Sequence, residues 1–236
     1  MTSKSRPVCV IVGAGPGNGA AFARRSAREG YRVALLARST EVTGPLAEEL
    51  HDGIAIPCDV TDSDAIHHAF AGIREQLGEV DVLVYNAGVG VWTDFEQTTP
   101  EQFETSWRTN AFGAFLASKE VVEAMKRRRS GHIIFIGATA SRRGGARTAA
   151  FAPAKAAQKS LAESMARHLW PQNIHVSLII VDGVVKLPRS RAFMKDKPDD
   201  FFISPDAVAA TAFHLTTQHP SAWSFEVEAR PFKETW

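Results

Sequence analysis

The sequence predicts a doubly wound α/β domain, a parallel sheet of about seven strands with helices on both faces. Three observations carry this expectation. Short apolar runs alternate with longer amphipathic segments from end to end, the rhythm of parallel strands joined by right-handed crossovers. Runs such as 82–85, 133–136 and 176–181 are nearly continuous in apolar residues, as suits strands covered on both faces. A turn with four glycines, Gly13, Gly15, Gly17 and Gly19, follows the first run and opens the first helical pattern.

Taken in order, the predicted strands are Pro7–Val12, Arg32–Ala37, Ile54–Cys58, Val80–Tyr85, His132–Gly137, His175–Val181 and Ser224–Glu228. The predicted helices are Gly19–Glu29, Val42–Leu50, Asp62–Gln76, Pro100–Arg128, Ala150–Trp170 and Pro205–Thr216. Caps, prolines and acids mark several helix starts: Thr61 to Asp64, Thr99 to Glu101, and Ser204 to Asp206. There a side-chain oxygen answers backbone N–H groups that lack partners in a first turn. Residues Lys186–Ile203, rich in charge and proline, read as one long irregular segment, a lid or an unstructured loop. Trp223, Phe225, Phe232 and Trp236 predict a packed tail or a subunit contact. No repeat or linker interrupts the pattern, so residues 1–236 read as a single domain.

Composition narrows the class. With 236 residues, 44% hydrophobic and 22% charged, the chain has material for one sizeable core. A formal net charge of +1 gives no global reason to expect nucleic acid or an anionic membrane as a partner. The basic cluster Lys126 to Arg129 reads as a solvated helix end, where cations complement the helix dipole. No stretch approaches the ~20 apolar residues of a membrane span, and the apolar run from Val8 to Val12 is too short for a signal peptide. The two cysteines, Cys9 and Cys58, lie in separate predicted strands without metal-ligand spacing, so they read as reduced core thiols in a cytoplasmic protein. His67 and His68 are adjacent, hence about 100° apart on a helix, and do not make a metal pair.

The glycine turn is the chemically informative segment. Without side chains there, backbone N–H groups and a helix N-terminus approach a pyrophosphate closely, as in Rossmann-type dinucleotide sites. The end of the second strand discriminates between cofactors, because NAD sites place a carboxylate there and NADP sites a cation. It carries Arg38, with no acid before Glu41, which favours NADP while leaving NAD open.

Further segments match at their places in the same order. Asp59 and Val60 follow the third strand; Asn86, Ala87 and Gly88 follow the fourth; Asn110 lies within the long central helix; and Lys155 lies one turn into the next. With the spacing of Gly13, Gly17 and Gly19, this combination resembles the short-chain dehydrogenase/reductase family along almost the whole chain. The resemblance implies that the glycines and Asn18 hold a pyrophosphate and that Asp59 and Val60 meet the adenine. It implies that Asn86, Ala87 and Gly88 floor the nicotinamide ribose and that Lys155 binds the ribose hydroxyls. It also implies a homodimer or homotetramer assembled through the two long helices.

The chain departs from the family at the chemistry. The family's catalytic set is Asn, Ser, Tyr and Lys, of which Asn110 and Lys155 are present. Phe151 stands where the tyrosine proton donor belongs, Ala138 where the serine belongs, and Asp182 with Gly183 where Pro-Gly is usual. Positioned acid–base groups contribute roughly 10²–10⁴ in rate, so ordinary ketone reduction should be lost. Asp182 is the foremost substitute donor, since a desolvated carboxylic acid can donate near neutral pH, and an Asx turn with Gly183 is its plain structural alternative. Thr139, Ser141 and Tyr85 lie within reach of the same end. Thr139 should face away if the strand continues past Ala138, and Tyr85 should pack. Arg142, Arg143 and Arg147 follow the Ala138 strand, on the substrate side, as surface arginines or as contacts to an anionic substrate.

Two functional readings follow. One is an NADP-dependent oxidoreductase with a non-standard proton source and a substrate the chain does not identify, reduction of an activated C=C bond being one reaction that fits. The other is a non-catalytic NADP(H)-binding sensor or partner subunit.

Overall fold

A computed structural model of the chain describes residues 6–233; Trp236 lies outside the described residues. The elements, in chain order, are β1 (Val8–Val12), α1 (Asn18–Arg28), β2 (Arg32–Ala37), α2 (Thr43–Glu49), β3 (Gly53–Pro57), α3 (Ser63–Gln76) and β4 (Val82–Tyr85). They continue with α4 (Pro100–Trp107), a π-helical turn (Arg108–Phe112), α5 (Gly113–Arg128), β5 (Gly131–Ala138), α6 (Phe151–Leu169) and β6 (Ile174–Val181). The last are β7 (Val184–Val185), α7 (Pro188–Phe193), β8 (Phe202–Ile203), α8 (Pro205–Thr217) and β9 (Glu226–Ala229).

Seven strands form one sheet in the order β3-β2-β1-β4-β5-β6-β9, and every neighbouring pair is parallel. Strand periodicity divides the core between the two faces. In β1, Val8, Val10 and Val12 face α3, α5 and α6, while Cys9 and Ile11 face α1, α2 and α8. The first core is closed by Phe70 and Ile73 of α3, Val121 and Met125 of α5, and Leu169 of α6. The second is closed by Phe22 of α1, Leu46 of α2 and Val208 and Leu215 of α8. A fully buried side chain of this size stabilises the fold by about 1.5–3 kcal/mol. Both cysteines are buried free thiols, pushed up to about 12 (Cys9) and about 11 (Cys58) chiefly by burial. No helix among the described residues is long and apolar enough to cross a membrane.

The predicted caps form. Asp62 accepts from the N–H groups of Asp64 (2.8 Å) and Ala65 (3.1 Å). Thr99 and Gln102 bond reciprocally, and Ser204 accepts from Ala207 N–H at 3.4 Å.

Two predicted elements are corrected. The single helix expected over Pro100–Arg128 is split by the π-helical turn at Arg108–Phe112. Side chains take carbonyls of that turn: Tyr85 donates to Thr109 O (2.6 Å) and Gln158 to Asn110 O (2.9 Å). The segment expected to be irregular, Lys186–Ile203, is largely structured. It contains α7, a 3-10 turn at Asp199–Phe201, and β8, which pairs in parallel with β7. Ser190 ties it down by accepting from Leu187 N–H (2.9 Å) and donating to Val185 O (2.6 Å).

The C-terminal aromatics separate. Trp223 stacks on buried His175 with centroids 4.6 Å apart, and Phe225 packs on the first core. Phe232 is exposed, so the expected packed tail holds for only part of the set. His175 faces Leu215 O and Ser224 O with its two ring nitrogens, tying α8 and the segment before β9 to β6. His132 lies edge-on to it at 5.9 Å, and burial, then His175, push its imidazole down to about 4. The fold therefore holds His132 neutral in a pH range where the unfolded chain protonates it. This contribution is complete above the ordinary histidine value of 6.5 and disappears as pH falls toward 4. His132→Gln should remove about 2 kcal/mol of the stability lost between pH about 7 and about 4.5, read from urea unfolding at both pH values. Parallel losses in wild type and variant would refute the assignment.

Candidate active site

Parallel strands that reverse order between β1 and β4 leave a crevice beyond their carboxyl ends, the usual ligand position in open α/β sheets. A cleft of about 830 Å³ opens there, reaching from Arg38 and the glycine turn past Gly88 and Lys155 to Phe151 and Thr148. Arg38, Arg143, Lys155 and Arg189 line it, and among the described residues no carboxylate side chain does.

The glycine turn has two distinct parts. Gly13 sits at φ +86°, and a Cβ on it would lie 2.4 Å from Ala87 N; one on Gly19 would lie 2.6 Å from Gly13 O. These glycines allow β1, β4 and α1 to approach one another. Gly15, by contrast, has nothing within 4 Å of the position its Cβ would take. Its bareness leaves room at the cleft wall. Gly17 lies under the segment after β7, where its Cβ would be 2.3 Å from Leu187 Cδ2. No side chain caps the N-terminus of α1; Ala20 N–H goes to Gly15 O (2.9 Å), and the N–H groups of Asn18 and Gly19 ahead of it remain available to an anion. Asn86 lines the cleft and also donates to Gly13 O at 2.8 Å, fixing the ends of β1 and β4 together.

Lys155, one turn along α6, is buried on the cleft floor. Its Nζ donates to Ile136 O (2.8 Å) and to Gln158 Oε1 (3.1 Å), and desolvation pushes the ammonium down to about 7. Gln158 is fully buried and spends its other end on Asn110 O. One amide therefore bridges the lysine and the π-helical turn. The Asn110 side chain donates to Ser106 O (2.9 Å) and Val89 O (3.0 Å), and its Oδ1 lies 2.9 Å from where a Gly88 Cβ would be. Sequence reasoning missed Gln158. Its signal is a polar residue three positions after Lys155, on the same face of an alanine-rich helix.

The substrate end differs from expectation in several ways. The β5 strand ends at Ala138, so Thr139 begins a 3-10 turn and lines the cleft instead of facing away. Thr139 Oγ1 donates to Asp182, whose other oxygen accepts from Arg230. The Asx turn with Gly183 is thus replaced by long-range bonds. Asp182 thus touches Thr139 with one oxygen and Arg230 with the other. Ser141 is buried and accepts from Ala138 N–H at 3.1 Å, and Tyr85 is buried with its hydroxyl on Thr109 O. Phe151 packs on Ala138 and Ala140 and meets Trp92 edge-on at 5.1 Å.

Of the residues expected at the cofactor, Gly15, Gly17, Asn18, Gly19, Arg38, Asn86, Gly88 and Lys155 line the cleft. Gly13 and Ala87 support it from beneath, and Asn110 and Asp182 stand behind its wall. Asp59 turns its carboxylate onto Thr61 (N–H 2.9 Å, Oγ1 2.8 Å), and these bonds hold it below the usual carboxylate range, with a smaller effect from Arg38. Val60 is buried beside Gly113, whose Cβ would lie 2.6 Å from Val60 O.

Residues 7–197 match the short chain dehydrogenase family model. The chain therefore belongs to that family. It is 33% identical over 183 residues to the 3-oxoacyl-acyl-carrier-protein reductase MabA of Mycobacterium bovis, covering 78% of this chain and 71% of that protein. Among solved structures, a short-chain dehydrogenase from Rhodopseudomonas palustris superposes with a TM-score of 0.83 at 32% identity, over 96% of this chain and 99% of the other. A metagenomic short-chain oxidoreductase in complex with NADP gives 0.84 at 30% identity, over 98% and 99%.

Proposed function

We propose that this chain is an NADP(H)-dependent oxidoreductase that works without a side-chain hydroxyl at the usual proton-donor position. The observation that carries this reading is a basic cleft, free of lining carboxylates among the described residues, whose lining holds a buried lysine and, four residues before it on the same helix, Phe151. Its chemistry fits an anionic dinucleotide. The bare Gly15, with Gly17, Asn18 and Gly19, would receive the pyrophosphate, and Arg38 the 2′-phosphate. Asp59 and Val60 would close the adenine end. Asn86, Ala87, Gly88 and Lys155 would hold the second ribose, with Gly13 keeping that floor close to the turn. When bound, the reduced dinucleotide supplies a hydride.

The chain's own groups then set the acceptor. Lys155 is committed to Ile136 O and Gln158, and Asn110 holds the π-helical turn that anchors Gln158. Asp182 positions Thr139 and, through Arg230, joins β6 to the segment after β9. None of these presents a proton at a carbonyl oxygen. An activated C=C bond suits such a wall. After hydride reaches its β-carbon, the electron pair rests on the conjugated oxygen, and water protonates the α-carbon. The committed Lys155 equally favours a second reading, a non-catalytic NADP(H)-binding protein. Exposed Phe103, Trp107 and Phe115 on α4 and α5 provide apolar surface for a homo-oligomer.

The cofactor assignment is tested at Arg38. A guanidinium on a phosphate is a charge-assisted contact of about 1.5–3 kcal/mol. Calorimetric titration should therefore show NADPH bound roughly 10–100-fold more tightly than NADH. Arg38→Asp should reverse the order, because a carboxylate repels the phosphate and accepts from a ribose hydroxyl. Equal affinities in the unmodified protein would overturn the assignment.

A further inference from the structure

We infer that Arg143 is the anchor for the carboxylate of a small planar substrate whose apolar body lies against Trp92 and Phe151. The inference rests on the dinucleotide reading of the cleft and deepens it by naming a substrate class.

Three arginines follow β5, and the structure sorts them. Arg142 is bound to Glu226 (2.6 Å) and Glu228 of β9. Arg147 pairs with Asp94 at 3.6 Å and donates to Trp92 O at 2.8 Å. Arg143 lines the cleft; its backbone N–H donates to Thr139 O at 3.3 Å, and its guanidinium has no ion-pair or hydrogen-bond partner among the described residues. Gly144 and Gly145, which follow it, line the same cleft. It is separated along the cleft from Arg38, which lies beside the glycine turn at the end of β2. Trp92, which lines the same cleft, is 58% exposed and set at 60° to Phe151, an aromatic wall that favours a flat, conjugated body.

The anion is assigned as a carboxylate on charge and donor geometry. The Thr148 hydroxyl is already used on Gly145, accepting from its N–H (2.7 Å) and donating to its carbonyl (3.0 Å). The two parallel donors of the Arg143 guanidinium match a singly charged carboxylate.

The test uses trans-cinnamate and its neutral isostere trans-cinnamamide, titrated calorimetrically into the protein with and without saturating NADP⁺. Phenyl phosphate serves as the competing anion. Cinnamate should bind about tenfold more tightly than the amide, and Arg143→Gln should erase that preference. The variant should bind NADP⁺ like the wild type. Equal binding of acid and amide, or tighter phenyl phosphate, would overturn the carboxylate assignment. Weaker NADP⁺ binding in Arg143→Gln would place the arginine at the dinucleotide instead and overturn it too. A protein that fails to bind NADP⁺ but keeps Arg143-dependent cinnamate preference would uphold this inference while refuting the dinucleotide reading.

Discussion

With NADPH and a panel of simple ketones, the unmodified protein should give no turnover above background, and Phe151→Tyr combined with Ala138→Ser should create it. Phe151 and Lys155 are four residues apart on α6 and share the cleft-facing side of that helix. A tyrosine there adds one oxygen to a ring already held by Ala138, Ala140 and Trp92. A nearby ammonium favours a phenolate and so lowers a phenol's pKa. Burial already places the Lys155 ammonium near about 7, so both of its forms are populated around neutral pH. Ala138 ends β5 opposite Val181, and a serine there adds a hydroxyl where the strand gives way to the Thr139 turn. Acid–base groups of this kind contribute roughly 10²–10⁴ in rate, so the double variant should exceed background at least ~100-fold. Groups that act on one oxygen are non-additive, so each single variant should give far less than half the logarithmic gain. Ketone reduction by the unmodified protein would show that another group donates the proton. Asp182→Asn, which disturbs the Thr139 contact, would then be the informative variant. A double variant that binds NADPH yet stays silent would favour the non-catalytic reading.

Gly13→Ala and Gly15→Ala should have opposite consequences although the glycines are two residues apart. At Gly13 the methyl meets the Ala87 backbone at 2.4 Å, and φ +86° is strained for any L side chain. Left-handed strain costs on the order of 1–3 kcal/mol and overpacking a similar amount. A combined loss of roughly 3–5 kcal/mol is a large fraction of a typical fold's 5–15 kcal/mol. The variant should unfold at markedly lower urea or fail to accumulate. At Gly15 the methyl enters open space at the cleft wall, so stability should stay within about 0.5 kcal/mol. NADPH affinity should nevertheless fall at least ~10-fold, because the methyl takes room needed by the pyrophosphate. Unchanged NADPH binding in Gly15→Ala would remove the pyrophosphate from this part of the turn.

The fold was legible because its signals are local. Continuous apolar runs, a helix period between them and caps such as Asp62, Thr99 and Ser204 all sit within a few residues of what they specify. The parallel seven-stranded sheet follows from that rhythm, and the position of the cleft follows from the glycine turn after β1. Element ends moved by one or two residues, as they do where pairing and not composition sets the limit: β4 begins at Val82 instead of Val80, and β9 at Glu226 instead of Ser224. The segment after β6 misled because α7 and β8 are short. Their support is tertiary, from the β7–β8 pairing and from Leu187 resting on Gly17.

Residue order alone also established that Phe151 and Ala138 carry no hydroxyl in any conformation. It did not identify what the remaining polar groups do. Gln158 reaches a carbonyl 48 positions away, Asp182 is held by Arg230 across the same separation, and Arg142 is removed from the cleft by β9. Periodicity reports which face a residue occupies. Only the assembled sheet brings distant faces together, and a buried amide, carboxylate or guanidinium takes its role from the partner it meets there.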